Sequence, residues 1–533
     1  MANEGTASRA PTLEGRSALL VLMLVGLVVR LWVVWVGDEL SADEAIPGLM
    51  GLHIARGSEA PVFFWGQHYF GAVEAYLIAG LFKLFGFHPW LAIVPPIAAS
   101  LVLVPITAGL GGQMGGPRAG ILAALPVALP PPVLARLYAN SGGGFSLAFM
   151  LHGLALLCYL RAYQQPERAL PWAAAFSFVS GILSWIWQPA LALYAALLCL
   201  LLVRQPGLRR PARLAPIVAP LAIGLAPPLI YNLQHGWPSV AELTLKYVSP
   251  AGEARIVDER SPWAVLALLL LAFGGGNELE GGANVGQAVL VAVSIPLTLI
   301  LLLVDARREC RAESHRRLHV AAVLAFAALI DALAAHNTVR HLAPVALIAF
   351  GFVGALLALI WSRVRLGGLV ALAVVLAVLV APNLWLDVRA EQVAQRVVAR
   401  ASEVQVAVEA LETRGLSTGY GDYWSAYPVT YFSGEQVTVA PSLVDPWGVR
   451  FDRYPPYRQL VDSVVHPERV FVLVDDRCSP EPYLASLVRV GATSRVERVS
   501  RWHLIWDLHP PAGSEGASLA ALHDAIASNA AAC

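Results

Sequence analysis

Charge is scarce in this sequence. Asp, Glu, Lys and Arg make up 14% of 533 residues, against about 25% in an ordinary soluble domain. A soluble protein of this length needs a solvated, charged surface on each of two or more domains, and most of this chain has no charges to build one. The formal net charge is zero, which argues against a nucleic-acid partner. Lysine is nearly absent: Lys83 and Lys246 stand alone and every other basic residue of fixed charge is Arg, a mark of genomic composition. Cysteine is rare too. None of Cys158, Cys199, Cys310, Cys478 and Cys533 forms a CxxC pair, which argues against a zinc or dithiol redox centre. Two lie in apolar runs and read as packing residues. Cys478 and Cys533 suit a pair if the C-terminal region is exported, subject to the strict geometry of a disulfide. A cleavable leader is also missing. The first apolar run, Ser17 to Val36, exceeds the ~7–15 residues of a signal-peptide core and no small-residue cleavage site follows. It is expected to be a retained span.

What is abundant is apolar sequence: 57% of residues are hydrophobic and the mean hydropathy is +0.61. A spanning helix takes ~20 mostly apolar residues. Runs suited to it lie near 17–36, 89–110, 119–136, 145–160, 171–187, 189–203, 214–230, 286–304, 319–335, 342–360 and 366–386. The run at 262–273 is too short to span and reads as an interfacial or re-entrant piece. The fold class is therefore an α-helical polytopic membrane protein of about eleven spans.

Arginine sets the orientation, because basic residues are retained on the cytoplasmic side. With the N-terminus inside, the inner segments hold Arg9 and Arg16; Arg118; Arg161 and Arg168; Arg204, Arg209, Arg210 and Arg213; Arg307, Arg308, Arg311, Arg316 and Arg317; and Arg363 and Arg365. The opposite short loops are much poorer in Arg and Lys. The expected organisation is a cytoplasmic N-terminus at 1–16, a membrane domain at 17–386 with a first external loop at 37–88, and an extracytoplasmic α/β domain at 387–533. In that last segment charge returns, and β-prone stretches such as Val470–Val474 alternate with helix-like ones such as Val388–Arg414.

The first external loop holds the densest chemistry. Ser41 followed by Glu44 has capping-box spacing, in which each side chain satisfies a backbone N–H of the first turn. That predicts a helix from Ala42, and Gly57 suits its end. Asp43, Ile46, Met50 and Ile54 fall on one face, with Leu49 and His53 beside it. The helix is expected to lie along the membrane surface with its apolar side down and Asp43 pointed at the protein–membrane boundary. Both carboxylates suit a helix N-terminus, and for Glu44 capping is at least as good an account as chemistry. Asp43 faces apolar surroundings, where a carboxylate is expensive unless used. Asp43 and Glu44 are the candidate catalytic pair. Asp38 and Glu39 form a second pair at the end of the first span, where a solvated loop explains them.

Further along, Trp65, Gln67, His68, Tyr69 and Phe70 could stack and hydrogen-bond a sugar, or form an aromatic belt at the interface. Gln67, His68, Tyr69 and Glu74 are the candidate substrate contacts. Glu74 stands in an apolar stretch and so needs a partner or a ligand. Arg30, in the outer half of the first span, fits a lipid headgroup or an ion pair equally well. Gly419-Tyr-Gly-Asp422-Tyr-Trp424 and Arg453-Tyr454-Pro-Pro-Tyr457 are aromatic-rich, with carbohydrate contact open and a structural turn as the default.

The pattern Asp43-Glu44-Ala, Gly57, Gly66-Gln67-x-Tyr69-x-Gly71-x-x-Glu74-Ala75 and Phe82-Lys83-Leu84-Phe85-Gly86 resembles the first external loop of GT-C-fold glycosyltransferases. The closest group is the bacterial family-39-like branch, related to protein O-mannosyltransferases and lipid A aminoarabinose transferases. His336-Asn337-Thr-Val-Arg340-His341-Leu342-Ala343-Pro344 resembles their later Arg-Tyr-Leu-Leu-Pro motif. The match covers about residues 15–390. The aminoarabinose branch has a Glu-Lys-Pro-Pro segment whose Glu helps hold a metal; here Tyr69-Phe70-Gly71-Ala72 stands in that place, so that ligand is not carried over.

The resemblance implies an inverting glycosyltransferase of the bacterial cytoplasmic membrane, N-terminus inside and C-terminal domain outside. Its donor would be a polyprenyl-phosphate-linked sugar entering from the lipid, its acceptor an extracytoplasmic protein, lipid or cell-wall glycan. Asp43 would be the general base. Arg340, with His341 and His336, would hold the donor phosphate, since the guanidinium fork matches phosphate oxygens; a divalent metal ion is the other means of neutralising that charge. The rival readings are a lipid-linked sugar transporter or flippase, against which the absence of an internal repeat speaks, and a non-catalytic glycan-assembly subunit on the same scaffold.

Overall fold

The computed structural model describes residues 13–36, 40–130, 132–140, 142–242, 285–309, 312–334, 339–363, 403–443, 451–464 and 466–509. The membrane part opens with α1 (Leu13–Val36), followed by the first-loop elements α2 (Ala42–Arg56), β1 (Phe63–Phe64), β2 (Gln67–Gly71) and α3 (Val73–Phe85). The bundle continues through α4 (Val94–Gly115), α5 (Pro117–Ala128), α6 (Pro132–Ala139), α7 (Phe145–Gln164), α8 (Ala169–Ile186), α9 (Leu191–Arg204) and α10 (Pro211–His235). It then resumes as α11 (Val285–Glu309), α12 (Ala312–Ala334) and α13 (Val339–Arg363). Every expected span up to 342–360 other than 119–136 falls largely on helix, while 366–386 and the short run at 262–273 lie outside the described residues. Among the described residues six helices are long and apolar enough to cross a membrane unaided.

At the centre α4, α5, α7 and α13 pack on one another. Large apolar side chains of α1 such as Leu24, Val28 and Trp35 stay exposed, as suits lipid rather than water.

One expected span departs from the prediction. Residues 119–136 do not form one helix: α5 ends before Pro130-Pro131-Pro132, and α6 begins after the break. Consecutive prolines lack N–H donors and exclude helix from the residue before them. Carbonyls freed inside a membrane need internal partners, and Arg30 supplies donors. Its guanidinium, fully buried, donates to Val127 O at 2.9 Å, Ser100 Oγ at 2.6 Å, Ser100 O at 3.2 Å and Gly26 O at 2.9 Å, and lies over the Tyr138 ring. Among the described residues its partners are carbonyls and a hydroxyl rather than a carboxylate; it braces the broken helix.

The C-terminal domain comprises α14 (Glu403–Thr413), β3 (Thr418–Gly421), α15 (Tyr423–Phe432), β4 (Thr438–Pro441), α16 (Pro455–Asp462), β5 (Val470–Asp475), α17 (Glu481–Arg489), β6 (Thr493–Val499) and β7 (Trp502–His509). Its five strands run in the order β4-β3-β5-β7-β6. β3 pairs in parallel with β4 and β5, and β7 joins β5 and β6 antiparallel. The expected strand at Val470–Val474 is the central one, buried along its whole length. Its alternation splits it between two cores: Val470, Val472 and Val474 face one, Phe471 and Leu473 the other.

The second helix of this domain reaches beyond it. Tyr423, Tyr427 and Tyr431 recur every fourth residue on α15 and so share one helix face. All three are buried with the membrane-domain core rather than with the sheet. That stripe seats the C-terminal domain on α2.

Candidate active site

The first-loop helix forms as its ends predict. Ser41 N–H donates to Glu44 Oε2 at 2.6 Å, and Gly57 closes the helix in the left-handed region (φ 75°), its N–H directed at Ile54 O, a conformation only glycine adopts without strain. Its surroundings differ from expectation. It does not float at the interface with one apolar side down: residues from Ala42 to His53 are buried almost without exception. α3 covers one side and α15 the other. Gly48 lets the Tyr431 ring approach and Gly51 lets Ile78 approach; a Cβ at either would collide.

Asp43 accordingly does not point at the membrane boundary. Its Oδ1 accepts a hydrogen bond from the Tyr423 hydroxyl at 2.5 Å. Tyr423 is 2% exposed. Burial first, then the Asp43 charge, push its phenol well above the usual range, so it remains the proton donor of the pair. The Arg453 guanidinium lies over the Tyr423 ring, 6.0 Å from its centroid. Burial pulls the pKa of Arg453 down, but Tyr423 and Asp43 outweigh it and raise it. Glu44 has a different task. One oxygen caps Ser41 and the other accepts from Asn140 Nδ2 at 2.8 Å, which ties α2 to the end of α6. Both oxygens thus serve position.

The candidate substrate contacts separate along β2, as alternation in a strand requires. Gln67, with its amide oxygen turned inward, accepts from Arg453 Nη2 at 2.9 Å and from the Tyr69 hydroxyl at 3.2 Å. Arg453 Nη1 also reaches Gly66 O at 3.4 Å. Gln67 and Tyr69 therefore join the Asp43 group through Arg453. His68 turns the other way: its backbone N–H donates to Glu242 at 2.8 Å and its ring meets the same carboxylate, beside Tyr231. Glu74 is 3% exposed in the first turn of α3, against Gly144. His336 lies outside the described residues. Arg340 and His341 belong to the first turn of α13, and their side chains lie outside the description, as do Asp38 and Glu39. Among the described residues no group of three His, Cys, Asp or Glu side chains is arranged to hold a metal ion.

A second cluster fastens the two parts. His53 Nε2 meets Glu435 at 2.6 Å and Nδ1 meets Glu59 at 3.3 Å. Only the imidazolium has donors on both nitrogens. Glu435 also takes Arg56 and the Tyr457 hydroxyl, while Tyr454 donates to Glu59 and stacks on Trp65 at 3.9 Å. Glu435 holds a left-handed backbone (φ 68°), which a residue with a Cβ adopts at some cost; these contacts offset it. Burial pulls the His53 pKa down, but hydrogen bonds and charge from Glu435 and Glu59 outweigh it and lift it from 6.5 to about 9. A raised value means that this stabilisation is complete below pH 6.5 and is lost as pH rises through about 9. The interface is expected to loosen between those values, seen as faster amide exchange in α2 and α15 of the detergent-solubilised protein. His53→Gln should remove that pH dependence; the same alkaline loosening in His53→Gln would assign it elsewhere.

The sequence flagged both tail segments that supply these partners but not their task. The signal was the Tyr423, Tyr427, Tyr431 spacing.

Taken together, the helical bundle, the two-helix first loop and the C-terminal α/β domain define the GT-C fold of membrane glycosyltransferases. The fold implied by the first-loop motif is the fold found. The aminoarabinose transferase ArnT from Cupriavidus metallidurans, in the apo state, matches over 92% of this chain and 98% of its own, with a TM-score of 0.61 and 14% identity. Its complex with undecaprenyl phosphate matches at TM-score 0.60 and 13% identity over 93% and 98%. The oligosaccharyltransferase AglB from Archaeoglobus fulgidus, in complex with an inhibitory peptide and a dolichol-phosphate, matches at TM-score 0.53 and 13% identity over 97% and 77%. At such identities the likeness is one of fold. No protein-family model and no curated protein matches the sequence.

Proposed function

We propose that this protein is an inverting glycosyltransferase that moves a sugar from a polyprenyl-phosphate donor to an extracytoplasmic protein, lipid or glycan. The observation that carries the proposal is the Asp43 carboxylate, held by Tyr423 on the first-loop helix of a GT-C bundle. Asp43 takes the proton of an acceptor hydroxyl. The oxygen attacks the anomeric carbon, the bond from that carbon to phosphate breaks on the opposite face, and the electron pair leaves with polyprenyl phosphate. A phosphate leaving group requires charge stabilisation rather than a strong acid. Arg340 is assigned that part, with His341 and His336 beside it. ArnT and AglB, which bind undecaprenyl phosphate and dolichol-phosphate, support a lipid-phosphate donor.

The reading puts the N-terminus and the Arg-rich loops in the cytoplasm and the C-terminal domain outside. Cys478 is disulfide-bonded, whereas Cys158 and Cys199 are free thiols, which agrees with an oxidising compartment for the tail.

The test uses the purified full-length protein in lipid nanodiscs with polyprenyl-phosphate sugars. Release of free polyprenyl phosphate, dependent on an acceptor and lost in Arg340→Ala, is the expected result, with Arg340→Lys recovering part because it lacks the fork. Intact donor carried across a sealed bilayer, with no sugar transferred, would establish a transporter instead.

A further inference from the structure

We infer that Tyr423 and Arg453 of the C-terminal domain are positioning residues for Asp43, so that the catalytic base is complete only when that domain is docked. The inference rests on the reading of Asp43 as the base.

The geometry is a chain of three. The Arg453 guanidinium lies over the Tyr423 ring, and Tyr423 donates to Asp43 Oδ1. The phenol is thus held on its face and at its hydroxyl, and the hydroxyl fixes the rotamer of the carboxylate that acts as base. Among the described residues, the charged and titratable groups that face Asp43 come from several elements. α15 contributes Tyr423, and the segment before α16 contributes Arg453. β2 contributes Tyr69, with Gln67 bracing Arg453. On its own helix, Glu44 is engaged by Ser41 and Asn140.

Arg453 is itself held in place from both domains. Its backbone N–H donates to the Tyr427 hydroxyl at 2.8 Å, its guanidinium reaches Gly66 and Gln67 of the first loop, and the Phe451 ring lies below it. Its position is therefore defined only while α15 and β2 are together. A domain that merely capped the bundle would not need to send a cation and a phenol to one carboxylate.

Tyr423→Phe isolates the hydroxyl, because the ring still fills its buried site. In the full-length protein kcat should fall about tenfold to a hundredfold, the effect of losing one hydrogen bond to a charged group, with the donor KM unchanged. Arg453→Met should act in the same direction, and Arg453→Lys should restore part of the rate, which a purely structural loss would not do. Thermal stability of each variant is measured alongside. Wild-type kcat in Tyr423→Phe, with Asp43→Asn inactive, would overturn this inference alone. Full activity in Asp43→Asn would overturn the reading beneath it.

Discussion

Asp43→Asn is expected to abolish nearly all turnover while leaving donor binding intact. Asparagine keeps the size of the side chain and can still accept the Tyr423 hydrogen bond, so α2 and its packing survive. What it cannot do is take a proton. Loss of a general base costs ~10²–10⁴-fold in rate, and here the whole loss should fall on kcat. Glu44→Gln provides the contrast. Its carboxylate caps Ser41 and ties Asn140, work that an amide does in part. The expected effect is on helix stability, about 0.5–2 kcal/mol, with little change in chemistry. Asp38→Asn is the competing experiment, since Asp38 and Glu39 precede the helix by a few residues. Transfer assays at matched protein levels decide it: normal turnover in Asp43→Asn with loss in Asp38→Asn would assign the base to the other pair.

Gly48→Leu should prise the C-terminal domain from the first loop. Gly48 lies where the Tyr431 ring crosses α2, and even a Cβ there would collide with the ring. Tyr431 cannot swing aside, because it is fully buried and its hydroxyl donates to Pro89 O at 2.6 Å. Overpacking a close contact costs about 1–3 kcal/mol. At the upper figure the docked fraction shifts roughly a hundredfold, since each 1.4 kcal/mol is tenfold. Amide exchange in α2 and α15 should accelerate, and turnover should fall with it if the domain completes the base. Tyr431→Ala in the same chain removes the ring and should restore docking in part. An unaltered exchange pattern in Gly48→Leu would show that α15 can shift to accept the side chain.

The His53 cluster and the tyrosine stripe hold the same interface by different physics. Tyr423, Tyr427 and Tyr431 bury ring area, which pH does not alter in the physiological range. His53, between Glu59 and Glu435, adds a charge that alkaline pH removes. Loosening above pH 6.5 should therefore be partial in the native chain and more complete when Gly48 is also substituted.

Local physics made much of this protein legible in one dimension. A run of some twenty apolar residues has few stable fates besides a membrane span, so α1, α4, α7, α8, α10 and α13 could be read directly. Ser41, Glu44 and Gly57 act within a few residues of themselves, so the ends of α2 were readable too. Val470–Asp475 was legible as a strand for the same reason. Tertiary structure alone decided what those elements meet. Arg30 looked like a group seeking a headgroup or a carboxylate, yet its described partners include carbonyls 70 and 97 residues away, the second, Val127 O, released by a proline break whose consequence no local window contains. Asp43 looked aimed at the membrane, because helical periodicity reports which residues share a face but not what covers it. What covers it is Tyr423, 380 positions on. Periodicity is a property of neighbours along the chain; the setting of a carboxylate is a property of neighbours in space, and those are chosen by packing between domains.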